Sequence, residues 1–74
     1  MITVRVCAER TGRPIKNAHV VLHFDSLEYN PISAAYTDGS GEVSFECEDR
    51  PGQVVVNGRL AFCGSLAGAV VVYL

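Results

Sequence analysis

His19 and His23, the cysteines Cys7, Cys47 and Cys63, and the acidic groups Asp38, Glu42, Glu46 and Glu48 are the side chains best able to bind metal, attack a substrate or carry protons. Their spacing sets what each can do. Positions four apart on a strand lie roughly 13 Å from each other, so His19 and His23 cannot share one ion. A zinc site would need Asp25, Glu46 or another strand to converge on one of them. The cysteines are odd in number and form no CxxC pair, which fits neither a closed disulfide framework nor a zinc site of closely spaced ligands. Buried thiols are the expectation, because free Cys behaves as a small hydrophobe. A single bridge, for instance Cys7 to Cys63, would need facing strands and an oxidising compartment, and the spacing leaves it undecided. Pairing Cys63 or Cys7 with His19 or His23 as nucleophile and base has no supporting spacing and no oxyanion loop. Glu46 and Glu48 would stand about 7 Å apart on one strand face, near a glycosidase separation, but a flat sheet offers no cleft to raise a carboxyl pKa. Asp38, Ser40 and Glu42 imitate part of a calcium loop without its length or its distal bidentate Glu. The expectation is a domain that is not an enzyme, holds no metal and needs no cofactor.

Composition narrows the partners. The chain has 74 residues, 49% of them hydrophobic and 19% charged, with a formal net charge of -2. That is enough apolar material to fold and too short for more than one domain, taken here as 1–74. Arg5, Arg10, Arg13, Lys16, Arg50 and Arg59 are scattered rather than clustered, so neither nucleic acid nor a membrane surface is an expected partner. No apolar run approaches the roughly eighteen residues of a membrane-spanning helix. Met1 leads directly into Ile2-Thr3-Val4-Arg5-Val6 with no secretory signal pattern. As written the chain is expected in the cytoplasm; excision from a secreted parent would make it extracellular.

The elements that must carry these residues are strands. Ile2, Val4 and Val6 alternate with Thr3, Arg5 and Cys7, and Ala18, Val20, Leu22 and Phe24 occupy every second position of the clearest period-two stretch. Residues 25–31 carry Asp, Ser, Asn and Pro and read as a loop before a strand near Ile32 to Thr37. After the Asp38-Gly39-Ser40-Gly41 turn, Val43, Phe45 and Cys47 face one way and Glu42, Ser44, Glu46 and Glu48 the other. Arg50-Pro51-Gly52 is expected to break the chain, and the β-branched run Gln53 to Val56 to form a strand covered on both faces. Gly58, Gly64 and Gly68 then divide the remainder into Arg59 to Cys63 and Ala69 to Leu74. Nothing holds helical spacing. An all-β, seven-stranded antiparallel Greek-key β-sandwich is the predicted architecture, because a half-apolar sheet must bury its inner face and no helix is present to cover it.

Two stretches carry a resemblance. Gly12-Arg-Pro14-Ile15-Lys-Asn-Ala18-His-Val20-Val-Leu22, then Ala35-Tyr-Thr37-Asp38-Gly-Ser-Gly41-Glu-Val43-Ser-Phe45 and Pro51-Gly52, resemble the carboxypeptidase regulatory-like family of transthyretin-like sandwiches. Turn-and-core residues carry the likeness, which spans nearly the whole chain and implies a fold with an accessory or interaction role. The activities of related folds are not implied. Collagen-adhesin B-type domains crosslink a first-strand Lys to a last-strand Asn or Asp, whereas the lone Lys here is Lys16 and residues 69–74 contain neither acceptor. Hydroxyisourate hydrolases of this fold end in Tyr-Arg-Gly-Ser, whereas this chain ends Val71-Val72-Tyr73-Leu74.

What remains is binding through surface. Ala69 to Leu74 is apolar on both faces, so this strand, through Val71 and Tyr73, or the exposed side of its sheet, is expected to meet a second copy or another protein, an open sheet edge being the ready route. The plainer reading is that Val71 and Tyr73 only complete a packed sheet, since scattered surface apolar residues are ordinary. A carbohydrate- or small-ligand-binding accessory role is the alternative. It would draw on Tyr29, Tyr36 and Tyr73 as aromatic platforms, with Tyr29 in its Asn-Pro loop the residue to test.

Overall fold

Alternating apolar side chains make strands wherever one face can be buried, and the computed structural model, which describes residues 1–24 and 32–74, is built from them. In chain order the described strands are β1 (Ile2–Cys7), β2 (His19–Phe24), β3 (Ile32–Tyr36), β4 (Glu42–Phe45), β5 (Arg50–Val56), β6 (Arg59–Leu66) and β7 (Gly68–Tyr73). They form a three-stranded sheet ordered β4-β1-β7 and a four-stranded sheet ordered β3-β2-β5-β6. Between the layers lies one core. Ile2, Val4, Val6, Phe45, Val70 and Val72 come from the first sheet, and Ala18, Val20, Leu22, Phe24, Val54, Val56 and Leu66 from the segments of the second. β1, β2, β5 and β7 bury alternate residues along their core stretches, which is the burial a two-layer stack of pleated sheets imposes.

One expectation is corrected by the pairing: the strands are not all antiparallel. β1 pairs antiparallel with β4 but parallel with β7, in register from Ile2↔Gly68 to Cys7↔Tyr73. The ladder runs on past the strand ends, where Leu74 N–H donates to the Cys7 carbonyl at 2.9 Å and Glu9 N–H donates to the Leu74 carbonyl at 2.8 Å. A parallel pair needs a crossover, and here the rest of the described chain between β1 and β7 supplies it.

Two further expectations change. Arg50-Pro51-Gly52 lies inside β5 and Gly64 lies inside β6. Gly52 sits where β5 crosses Phe24 of β2, and a Cβ there would collide with the His23 carbonyl oxygen. It marks a close backbone approach rather than a break. Arg50 adds to the same corner, its guanidinium carbon 5.3 Å from the centroid of the Phe24 ring. β5 is also covered on one face only, with Val54 and Val56 buried and Gln53 and Val55 half-buried. The β5–β6 hairpin turns through Asn57 (φ 51°) and Gly58 (φ 83°), the positive-φ pair that a two-residue turn requires.

The two stretches that carry the family resemblance meet in space. Thr37, 3% exposed, accepts the Ala18 N–H at 2.9 Å through its hydroxyl and donates that hydroxyl to the Ile15 carbonyl at 2.7 Å. Its main chain exchanges two more bonds with Asn17 and Ala18, both 3.0 Å. Gly41 (φ 73°) lies so close to the strand entry that a Cβ would stand 2.7 Å from the Val6 carbonyl oxygen and 2.8 Å from Pro14 Cβ. Asp38 Oδ1 accepts the Ser40 and Glu42 N–H groups at 2.8 and 3.1 Å, which closes the turn into β4. These residues lock β1, β2, β3 and β4 together.

Candidate interaction surface

Each sheet presents an outer face, and register fixes what stands on it. Across the three-stranded sheet one row runs Ser44–Thr3–Ala69 and the next Glu42–Arg5–Val71. The Thr3 and Ser44 hydroxyls are 3.0 Å apart and bonded. Charge thus sits on the β4 and β1 columns of this face, whereas the outward residues of β7, Ala69, Val71 and Tyr73, are neutral. Val71 is 47% and Tyr73 57% exposed.

The four-stranded sheet carries a row Ala34–Val21–Val55–Leu60 that is apolar from edge to edge, with Leu60 60% exposed. Above it His19 leans on Tyr36, ring centroids 5.1 Å apart and planes tilted by 41°. Asn57 holds the other side of His19, accepting its N–H at 2.9 Å through Oδ1 and donating N–H to its carbonyl at 2.8 Å. Below lies the row His23–Gln53–Cys63. The sequence held the signal for this stripe in Val54-Val55-Val56, whose middle residue must point away from the other two on a strand.

The chemistry-bearing residues stay apart. His19 and His23 share the outer face of β2, and His23 and Cys63 are two strands apart, about 10 Å by strand spacing and beyond hydrogen-bond reach. Cys7 is buried, Cys47 half-buried and Cys63 exposed, all three free, which corrects the expectation of buried thiols at Cys63. Cys7 and Cys63 belong to different sheets and do not bridge. Asp38 is engaged by its own turn. Among the described residues no three His, Cys, Asp or Glu side chains gather into a group able to hold a metal ion. Also among them, no helix is long and apolar enough to cross a membrane.

Of the residues singled out for binding, Val71 and Tyr73 lie on β7, at an edge of the three-stranded sheet, as an open-edge contact requires. Tyr29 falls outside the described residues. Tyr36 and Tyr73 stand on outer faces of opposite sheets and cannot form one platform. No protein-family model matches the chain, and neither the curated proteins nor the solved structures contain a significant match.

The sheet edges differ in how they meet solvent. β4 is a four-residue strand that begins at Glu42 and is followed by Glu46. β6 carries Gly64 at φ 151° and a register shift against β5, whereas β3 is neutral and paired without a shift. β7 opens on Gly68 at φ 57° and is otherwise neutral and paired in unbroken register with β1. Among the described residues β7 is bonded on one side only, and the alternate N–H and C=O groups that such a strand turns outward can accept another strand.

Proposed function

We propose that this chain is a non-catalytic accessory domain of the carboxypeptidase regulatory-like, transthyretin-like kind, and that it acts by docking on protein through the β7 edge. The family reading is supported by the way its two signature stretches interlock at Thr37 and Gly41, and by the strand order. β1 lies in one layer, β2 and β3 in the other, and residues 37–41 carry the chain back across the layers so that β4 lies beside β1, a first-to-fourth pairing compatible with a Greek key. The docking reading rests on one observation: β7 is an edge strand without charge or proline, in unbroken register with β1, and it exposes Val71 and Tyr73 beside a backbone that is bonded on one side only among the described residues. Strand addition there gains main-chain hydrogen bonds and covers two apolar side chains at once. Sugar recognition has less support, because the separation of Tyr36 from Tyr73 leaves it only Tyr29.

A comparative capture experiment tests the reading. The wild-type domain and its Val71→Lys/Tyr73→Lys variant are immobilised side by side, and bound protein, whether foreign or a further copy of the chain, is quantified. Wild type is expected to retain a protein that the variant releases. Equal retention by both, or none by either, would remove the basis for docking through β7.

A further inference from the structure

The tip of the β5–β6 hairpin is Asn57-Gly58, and both residues are exposed. Their φ values of 51° and 83° match the mirror image of a type I turn, whose central residues lie near about +60° and +90°. Asparagine before glycine is the pairing whose side-chain amide the following backbone nitrogen attacks most readily, because glycine puts no Cβ in the way. Here that nitrogen is unengaged. Gly58 N–H donates no hydrogen bond among the described residues, and a Cβ on Gly58 would meet nothing within 4 Å. The rest of the turn holds the amide back. Asn57 Oδ1 accepts the His19 N–H at 2.9 Å and Asn57 N–H donates to the His19 carbonyl at 2.8 Å, which pins the side chain to the start of β2. In this turn type the first central ψ is about +30°, which sets the Gly58 nitrogen on the far side of the Cα–C bond from the Asn57 Cβ. Ring closure needs both on the same side, so the amide reacts only after the tip releases His19 and the peptide rotates.

We propose that Asn57 is a deamidation site gated by this hairpin, converted to aspartate or isoaspartate only in chains whose hairpin tip has opened. The Gly58 nitrogen bonds to Asn57 Cγ and the Cγ–Nδ2 bond breaks; Nδ2 takes the Gly58 amide proton and leaves as ammonia. Water, the sole co-reactant, then opens the five-membered imide. Attack at Cγ gives aspartate. Attack at the main-chain carbonyl gives isoaspartate, in which the backbone runs through the side-chain carbon and is one methylene longer. Aspartate keeps an acceptor for the His19 N–H. Isoaspartate lengthens the turn that sets the Val56↔Arg59 pair, so the hairpin cannot close again in its original register. The other asparagines lack this combination. Asn17 also has a positive φ, 57°, but the N–H that follows it belongs to buried Ala18 and is held by the Thr37 hydroxyl at 2.9 Å. Asn30 precedes Pro31, which has no N–H to give up.

The full chain, folded in buffer and unfolded in concentrated urea, is incubated at mildly alkaline pH, and Asn17 and Asn57 are followed by peptide mapping that separates aspartate from isoaspartate. Asn57 is expected to convert in both states, about tenfold or more slowly in the folded chain, because only the open fraction reacts. Asn17 should stay intact in the folded chain. His19→Pro, which removes the N–H that Asn57 Oδ1 accepts, is expected to bring the folded rate toward the unfolded one, with folding checked by circular dichroism. Hydrogen exchange of the Asn57 N–H in wild type gives a second measurement that needs no variant. Its protection should match the slowing of deamidation, since both report release from His19. The isoaspartyl fraction, isolated by ion exchange, is expected to melt about 4–8 °C below Asn57→Asp, the shift of one lost hydrogen bond in a domain of this size. Equal rates in the folded and unfolded chain, or no conversion of the folded chain on the time its exchange protection sets, would overturn the proposal. So would conversion of Asn17 ahead of Asn57, a folded His19→Pro no faster than wild type, or an isoaspartyl fraction as stable as Asn57→Asp.

Discussion

Thr37 is a threonine because the site uses both capacities of a hydroxyl and little else. Its oxygen receives the buried Ala18 N–H while its proton goes to the Ile15 carbonyl, so one small group completes the hydrogen bonding of two chain segments at the entry to β2. Valine has the same shape and neither capacity. Thr37→Val would leave the Ala18 N–H without a partner in a buried place, at a cost of about 1–3 kcal/mol. In a domain of this size that lowers the melting temperature by roughly 4–24 °C, whereas Thr37→Ser, which keeps the hydroxyl, should lose clearly less. Thermal unfolding followed by circular dichroism distinguishes them, and a Val variant as stable as wild type would show that the network contributes nothing net.

At the scale of elements, β5 shows both what the sequence discloses and what it withholds. The period-two runs of β1 and β2 were legible because each has a face that must be buried, and alternation is the imprint of that requirement. Pro51-Gly52 reads locally as a break, but Gly52 is placed by the neighbouring strand, whose His23 carbonyl leaves no room for a side chain. Tertiary approach of this kind has no signature within its own segment. Nor does pairing direction: alternation is the same for a parallel and an antiparallel strand, so the β1–β7 pairing could not be read from either segment. The β7 edge was legible as a neutral run apolar on both faces; that the edge is open depends on what the other strands do. Gly52→Ala gives the close approach a number. The methyl group would press on the His23 carbonyl and stand 3.1 Å from Leu66 Cδ1, so β2 and β5 must separate. A loss of about 1–3 kcal/mol in urea unfolding is expected. Gly39→Ala, with nothing within 4 Å of the new methyl, should stay within about 0.5 kcal/mol of wild type.

For the whole molecule, the decisive quantity is how little a sandwich of this size can bury. Its radius of gyration is 11.5 Å, and a domain of about 60 residues removes only about 60% of its unfolded surface from water, so stability from one core is small. An interface that adds a strand to the three-stranded layer therefore bears on folding as well as recognition. Association that involves the native state alone raises apparent stability by mass action. A partner strand docked at the β7 edge and present at about a hundred times its dissociation constant would add about 2.7 kcal/mol. That corresponds to a rise of roughly 11–22 °C in melting temperature. Val71→Lys should remove this rise while leaving the melting temperature of the domain alone close to that of wild type, because the side chain is exposed and the core behind it is untouched. Differential scanning calorimetry of both proteins with and without the captured partner measures it. An equal rise for both would mean that the partner does not sit on Val71.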